Sequence, residues 1–462
     1  MKTLFPAQAT NRDTIIQALR LFGAALDSST TGTGKTVTAA HTAKTFKHVG
    51  VVCPKIVIPH WERELKECGI DPLFVENYER IRRGRNQFLS KRGKKTFKWD
   101  LPDDTLLVWD ECHKAKGPFT QNAQMLVAAK KQGVKNLMLS ATACEDPTEM
   151  RAIGYALGLH NLNNTTWVNE ADDKVLPWAK WMAAHGCWRN QWGQWQRGAI
   201  KHLEKLNKDI YEKGKGTKIT LHDLPGAFSA NHVSVERLSF SKMKNIKSAY
   251  DDLGVSDEAL LERLMGVEQE VLHDESMDVN VLTQILRARQ FAEAFKVPDL
   301  VEMANKALHE KFSVIIFVNF RDTAEALFNS LPDPGIIIGG QSAEHREEHI
   351  NRFQNNENRV IIVMTAAGGV GVSLHDTDGR FPRQTILSPT FNLKEHIQAL
   401  GRAHRAGSKS PVVQKVVVAA DTIEEKIVDM LEQKRSSLDT LHQKPDSRIQ
   451  KDETKCQNQL SN

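Results

Sequence analysis

The run DSSTTGTGKT at residues 27–36 constrains this chain more than any other feature. It separates IIQALRLFGAAL, which has helical character, from TAAHTAKTF, which reads as a second helix. A loop this tight needs glycine to bring backbone N–H groups around phosphate oxygens. Gly32 and Gly34 supply that freedom, Lys35 would reach the β- and γ-phosphates, and Thr36 would hold Mg²⁺ through its hydroxyl. The strict spacing places glycine where this chain has Ser29, so the loop needs a second motif beside it.

That motif begins 75 residues after Lys35, where the apolar run TLLVW ends in Asp110-Glu111-Cys112-His113. Two acids at the exit of a buried strand are costly to hold without a metal or a partner. Asp110 would bind Mg²⁺, and Glu111 would orient and deprotonate an attacking water. Together the two segments predict a site that binds and hydrolyses a nucleoside triphosphate.

Strand-like runs recur. VGVVCP, TLLVWD and VKNLMLSAT lack strict alternation, as expected of strands buried on both faces of a parallel sheet. Helical segments lie between them, which gives an α/β domain over residues 1–165. A second series starts near residue 311 with FSVIIFVNF, GIIIGGQ, RVIIVMT, QTILSP and PVVQKVVVA. We therefore expect a first α/β lobe at 1–165, a Trp-rich basic insertion returning to that lobe at 166–235, and a helical linker at 236–310. A second lobe at 311–443 and a loose polar tail at 444–462 complete the division.

Composition excludes several alternatives. The 462 residues are 40% hydrophobic and 26% charged, values of a globular chain. Six cysteines include no CxxC pair, so neither a zinc knuckle nor a disulfide framework is read, and a reducing intracellular location is expected, the cytoplasm or a host's cytoplasm. The N-terminal MKTLFPAQATNRD has no long apolar run, and no uncharged apolar stretch of about 18 residues occurs, so neither a signal peptide nor membrane contact is expected.

In order along the chain, GTGKT, DECH, SAT and QALGRAHR resemble the ATPase motor of superfamily 2 helicases. VVCPKIVIPHWERELKE, GQSAEHREEHINRFQ, TAAGGVGVSL and SPTFNLKEHIQALGRAHRAGSKSPV are similar to the Swi/Snf-type branch, the double-stranded-DNA translocases. The resemblance covers most of residues 1–435 and is thinnest over 160–230. It implies two RecA-like P-loop lobes with a mostly helical insertion, ATP and Mg²⁺ as cofactors, and ATP hydrolysis coupled to movement on DNA, duplex or forked. A strand-separating helicase on DNA or RNA is the alternative enzyme, and a DNA-binding scaffold with weak ATPase activity is the alternative from another class. The chain departs from the branch in reading DECH rather than DEGH or DEAH, and LSATACEDP rather than LTGTP. A compact form like those of phages and viruses is expected, acting as a monomer.

The resemblance also assigns roles. Gln8 in LFPAQ looks like the residue that reads the adenine edge. Ser140 and Thr142, with Ala141 between them, look like the motif that couples nucleotide state to nucleic-acid grip. Gln398, Gly401, Arg402 and Arg405 look like the last motif of the second lobe, with Arg405 the best arginine finger and Arg402 close behind. Gly368, Gly369 and Gly371 resemble a turn that contacts nucleotide and DNA backbone. Pro54 and Lys55 resemble a backbone-contacting motif of the first lobe.

Charge is distributed unevenly although the net charge is only +5. Residues 80–98 hold nine basic side chains and no acid. Arg80, Arg82, Arg83 and Arg85 form the first cluster, and Lys91, Arg92, Lys94, Lys95 and Lys98 the second. Such clusters neutralise phosphates irrespective of base sequence, so nucleic-acid contact is expected there, with a plain surface hairpin as the alternative. Six of nine tryptophans fall within 165–220. Trp178 with Trp181, and Trp188 with Trp192 and Trp195, fit buried helical stripes by spacing. Packing is expected for most, and base stacking is the alternative. The acidic stretch 251–278 should repel phosphate and is read as a solvated face or a protein-partner site.

Overall fold

The computed structural model describes residues 3–92, 96–117, 119–144, 146–168, 174–199, 201–251, 279–368 and 372–441. The acidic stretch therefore lies outside the described residues except for Asp251, as do Lys94, Lys95, Gly369, Gly371 and the polar tail. The chain packs as two units. One comprises Met1–Leu224 with the end of the last helix from Lys434, and the other Pro225–Gln433.

The first unit opens with helix α1 (Pro6–Phe22), whose Pro6 at the first turn needs no N–H partner. Strands β1 (Ala24–Asp27), β2 (His48–Cys53) and β3 (Phe74–Asn77) alternate with α2 (Lys35–Ala43) and α3 (Ile58–Glu67). An antiparallel hairpin of β4 (Leu89–Arg92) and β5 (Thr96–Trp99) follows, and then β6 (Thr105–Asp110), α4 (Gln121–Lys131) and β7 (Lys135–Leu139). After the Trp-rich segment, β8 (Gly216–Thr217) closes the sheet. The sheet order is β8-β1-β7-β6-β2-β3, and every pair is parallel. Strands β1 and β6 are buried along nearly their whole length, which explains their unbroken apolar runs.

The Trp-rich segment contains α5 (Trp178–Ala184) and α6 (Lys201–Asn207), alternating with short strands. Trp178 and Trp181 do pack as a helical pair, with rings stacked at 5.4 Å and 16°. The second expected stripe is corrected. Trp188 and Trp195 lie on opposite strands of a two-stranded hairpin, Trp188–Arg189 against Trp195–Gln196, and Trp192 sits in its turn. Period-four spacing was matched by a turn of similar length, because Asn190 follows the first strand and closes the turn by accepting from the Gly193 N–H before the second strand begins at Trp195. Trp188 and Trp192 are exposed, while Trp195 packs partly on the core.

In the second unit β9 (Asn231–Leu238) precedes α7 (Val279–Phe295) and α8 (Val297–His309). Strands β10 (Ser313–Val318), β11 (Gly335–Ile337), β12 (Val360–Met364), β13 (Arg383–Leu387) and β14 (Val412–Ala419) then form the sheet. Helices α9 (Leu393–Ala403) and α10 (Ile423–Leu441) follow β13 and β14, respectively. The order is β9-β14-β13-β10-β12-β11, again parallel throughout. Segment 231–238 thus pairs with β14 at the edge of the second sheet, and β8 is the strand by which the preceding segment returns to the first sheet. Val314, Ile316 and Val318 fill one core and Ile315 and Phe317 the other, so alternate residues of β10 serve opposite faces.

Candidate nucleotide site and nucleic-acid surface

The glycine loop of the first unit connects the C-terminal end of β1 to the N-terminus of α2. Gly34 is the helix cap, at φ 87°, a left-handed conformation that favours glycine. A Cβ there would also come within 2.5 Å of the Gln8 amide nitrogen. Lys35 is the first helical residue, and its ammonium donates to the Ser29 and Thr30 carbonyls at 2.7 and 3.3 Å. Thr36 follows, half-buried, in the first turn of α2.

Gln8 is buried against this loop. Its Nε2 donates to the Thr33 carbonyl at 2.8 Å and its Oε1 accepts from the Phe5 N–H at 2.9 Å. The side chain therefore ties the start of α1 to the loop. Asp27, wholly buried at the end of β1, accepts from the Ser29 N–H at 2.9 Å and from Asn11 Nδ2 at 3.3 Å. Burial raises its carboxyl above the ordinary range, and those bonds and the Lys35 charge pull it back only in part. The loop has a second brace, since Ser29 Oγ accepts from the Ile219 N–H at 2.8 Å and Ser28 Oγ pairs with the Tyr211 hydroxyl at 2.6 Å.

Asp110 ends β6, beside β7 and β2 in the sheet. Trp61 Nε1 donates to its Oδ2 at 2.8 Å, and the Glu111 N–H donates to its Oδ1 at 3.0 Å. Burial raises its carboxyl to about 6, with the Glu111 charge adding and the Trp61 bond and Lys35 charge opposing. Glu111 adopts φ 52°, a left-handed conformation rare outside glycine, asparagine and aspartate. The strain turns the chain sharply, and the Glu111 carboxylate meets His113 Nδ1 at 3.2 Å. His113 Nδ1 also lies 3.1 Å from Ser140 Oγ, which accepts from the Thr142 N–H at 3.2 Å. Ser140 and Thr142 are both buried. One polar chain thus runs from the Glu111 carboxylate to the segment after β7.

Trp61 and Tyr78 were not singled out in the sequence. Trp61 is fully buried, and the Tyr78 hydroxyl donates to the Asp110 carbonyl at 2.9 Å. The only sequence signal was an indole in VIPHW one strand away from the acids, which reads equally well as core.

In the second unit α9 begins at an Asn392 cap, whose side chain accepts from the Lys394 and Glu395 N–H groups. Gln398 and Gly401 lie on this helix, half-buried. Arg402 is buried near its end and donates to the Val372 carbonyl at 3.4 Å. Arg405 lies beyond the helix, half-buried, donating to Ser373 Oγ at 2.6 Å and to the Gly401 carbonyl at 3.2 Å. Burial and the neighbouring Arg402 charge push its pKa downward. Both guanidiniums are thereby pinned to Val372–Ser373. Gly368 ends a short helix after β12.

The basic stretch divides in two. Arg80, Arg83 and Arg85 are exposed and Arg82 is half-buried around the helical turn Tyr78–Arg82, where Arg80 also meets Glu76 at 3.3 Å. In the hairpin, Leu89, Phe97 and Trp99 are buried on one face and Lys98 is exposed on the alternate position, whereas Lys91, opposite Phe97 on the apolar face, is exposed with its ammonium 5.9 Å from the Phe97 ring. Arg92 ends β4. Lys55 is exposed at the start of a 3₁₀ turn after β2, with Pro54 buried before it. No group of three His, Cys, Asp or Glu side chains able to hold a metal occurs among the described residues. No described helix is long and apolar enough to cross a membrane.

Comparison with known proteins adds the lineage. The helicase conserved C-terminal domain family matches residues 296–407. A mimivirus protein from Acanthamoeba polyphaga mimivirus, named as an ATP-dependent RNA helicase, is 30% identical over 449 residues, which are 92% of this chain and 80% of that protein. The Arabidopsis thaliana protein named Chromatin Remodeling 24 is 21% identical over 83% of this chain, which spans 41% of that longer relative. A solved Sulfolobus solfataricus SWI2/SNF2 ATPase core with double-stranded DNA covers 94% of this chain, and is itself covered to 92%, at 17% identity and a TM-score of 0.36.

Proposed function

We propose a DNA-tracking role on a premise that the relatives establish: the chain belongs to the Swi/Snf-like superfamily 2 helicases, the ATP-hydrolysing motors. In this reading the enzyme couples ATP hydrolysis to movement along duplex or forked DNA. One observation carries the ATPase part. Asp27, which leads into the glycine loop, and Asp110 of DECH both stand in register with Leu139 of β7, so the loop and the strand-end acids lie at the same end of the sheet, on either side of one strand.

The residues fit the cofactors. Gly32, Gly34 and the first turn of α2 offer backbone N–H groups to phosphate oxygens, and Lys35 would exchange its loop carbonyls for them. Asp110, raised by burial, gains from a cation, and Thr36 would share it. Mg²⁺ supplies charge neutralisation on the phosphates. Glu111 takes the proton from the attacking water, and His113 and Ser140 hold that carboxylate in place. Arg405, with Arg402 beside it, stabilises charge on the transferring phosphoryl group. Gln8 senses the nucleotide through the loop it grips, besides any contact with adenine. Gln398 and Gly371 complete the nucleotide contacts, and Ser140 and Thr142 couple them to nucleic acid. The exposed Lys55, Arg83, Arg85, Lys91 and Lys98, with the rest of that basic cluster, bind phosphates without reading bases. A virus-like form that works as a monomer is part of the proposal, and the likeness to a mimivirus protein supports the first of these two points.

The name of the mimivirus relative makes RNA the rival substrate. ATP hydrolysis should be measured with blunt duplex DNA, single-stranded DNA and RNA, with Lys35→Ala as control. Strongest stimulation by the duplex, lost in the control, is expected. Preference for a single strand or RNA would replace the translocase reading with a strand-separating helicase. Folded protein without hydrolysis would leave the scaffold.

A further inference from the structure

We infer that the hairpin Trp188–Gln196 is a stacking platform for unpaired bases of a nucleic-acid strand. This rests on the nucleic-acid reading above and assigns that partner a second contact. Trp188 and Trp192 are 56% and 76% exposed, whereas the paired Trp178 and Trp181 are half-buried and buried. Leaving an indole in water forgoes roughly 1.5–3 kcal/mol of burial, and here two on one small element do so.

The turn that carries Trp192 is pre-ordered. Asn190 Oδ1 accepts from the Trp192 and Gln194 N–H groups, both at 3.0 Å. The Asn190 N–H donates to the Gln194 carbonyl and the Gly193 N–H to the Asn190 carbonyl, each at 2.9 Å. Gly193 takes φ 75°, as such a turn requires. On the other face the Arg189 guanidinium stacks 4.9 Å over Trp195, which anchors the hairpin to the core. A rigid aromatic loses little entropy on capture of a ligand.

Charge selects the ligand. From Lys174 to Leu203 the chain has five Lys or Arg residues and no Asp or Glu. A protein partner face would be expected to mix signs, whereas a polyanion with flat faces meets both the indoles and the cations. Bases are unstacked only where a strand is single or a duplex end is open, so the platform takes single strands, fork arms or duplex ends.

The test compares an oligothymidylate of about 12 nucleotides, within the usual span of one single-strand site, with an abasic oligomer of equal length. Binding to both is followed by fluorescence anisotropy. Trp192→Ala is expected to weaken oligothymidylate binding by about 5- to 150-fold, the range of one lost base stack. Abasic binding should stay within twofold, and Trp192→Phe should restore most of the difference. Equal loss on both oligomers, or loss on neither, overturns the inference. So does a concentration-dependent dimer in sedimentation that Trp192→Ala abolishes, because the indoles would then face a second copy. Blunt-duplex stimulation of the wild-type ATPase is read separately, so the translocase reading can fail while the stacking result stands.

Discussion

The two units hold opposite charges at comparable places. In the first, the acids Asp27, Asp110 and Glu111 stand at strand ends, and burial lifts Asp27 and Asp110 toward the neutral form. In the second, Arg402 and Arg405 stand at the end of α9, and burial pushes Arg405 in the opposite sense. Among the described contacts, each set leans on neutral partners as well as on charge. Lys35 serves the acids in part, and carbonyl and hydroxyl oxygens serve the guanidiniums. Burial thus disfavours the charged forms of Asp27 and Asp110 in the first unit and of Arg405 in the second, a cost that a cation and an anion, respectively, would relieve. Functional sites commonly hold groups perturbed in this way.

The largest expected effect tests the acid side. Glu111→Gln should lower kcat by about 100- to 10,000-fold, the usual range for loss of a general base, while nucleotide binding persists. Steady-state hydrolysis beside equilibrium binding of a fluorescent ATP analogue measures both. A small change would return Glu111 to a merely structural acid.

Next comes the cationic side. Arg405→Ala should lower kcat by about 1000-fold or more, as for other arginine fingers, with nucleotide affinity nearly kept. Arg402→Ala should also disturb the Val372 segment and therefore the folding of its unit. If Arg402→Ala alone removes activity in a well-folded protein, the two roles are exchanged.

A stability measurement is smaller and follows from sign alone. The folded-state pKa of Asp110 is raised from 3.8 to about 6. Its contribution to folding is thus most favourable below the unfolded value and is lost as pH rises through about 6. Asp110→Asn should stabilise the ligand-free protein by about 1–2 kcal/mol at pH 7.5, after allowance for partial exposure. The advantage should fade toward pH 4, as chemical denaturation at both pH values would reveal. A destabilised variant at pH 7.5 would mean that the carboxylate is already well compensated.

The smallest effect concerns Trp61. Its bond to Asp110 holds the carboxyl down, so Trp61→Phe should move the acid limb of kcat/KM upward from near pH 6 by about one unit, the lower end for one hydrogen bond to a charged group. An unmoved limb would separate Asp110 from the titration that controls activity.

Much of this was legible in the chain. The strands of both sheets announced themselves because residues buried on two faces must be apolar at every position. GTGKT and DECH were legible because phosphate contact and strand-end acids tolerate few residue types. Trp188 and Trp192 were misread as a helical stripe, since spacing alone cannot separate a turn of a helix from the turn of a hairpin. The Trp61 bond was invisible because an apolar run containing one indole looks the same whether its N–H meets an acid or a carbonyl.

The sequence by itself determined the parallel α/β units, the glycine loop, the order of the motifs and the sign of the basic stretch. Each depends on local residue type and short spacing. Tertiary structure alone decided that Trp61 meets Asp110, that Glu111 reaches Ser140 through His113, that β9 joins the second sheet, and that two tryptophans face solvent. Those outcomes bring together residues from separate elements, and the free energy that selects them comes from burial and pairing that exist only once the sheets have formed.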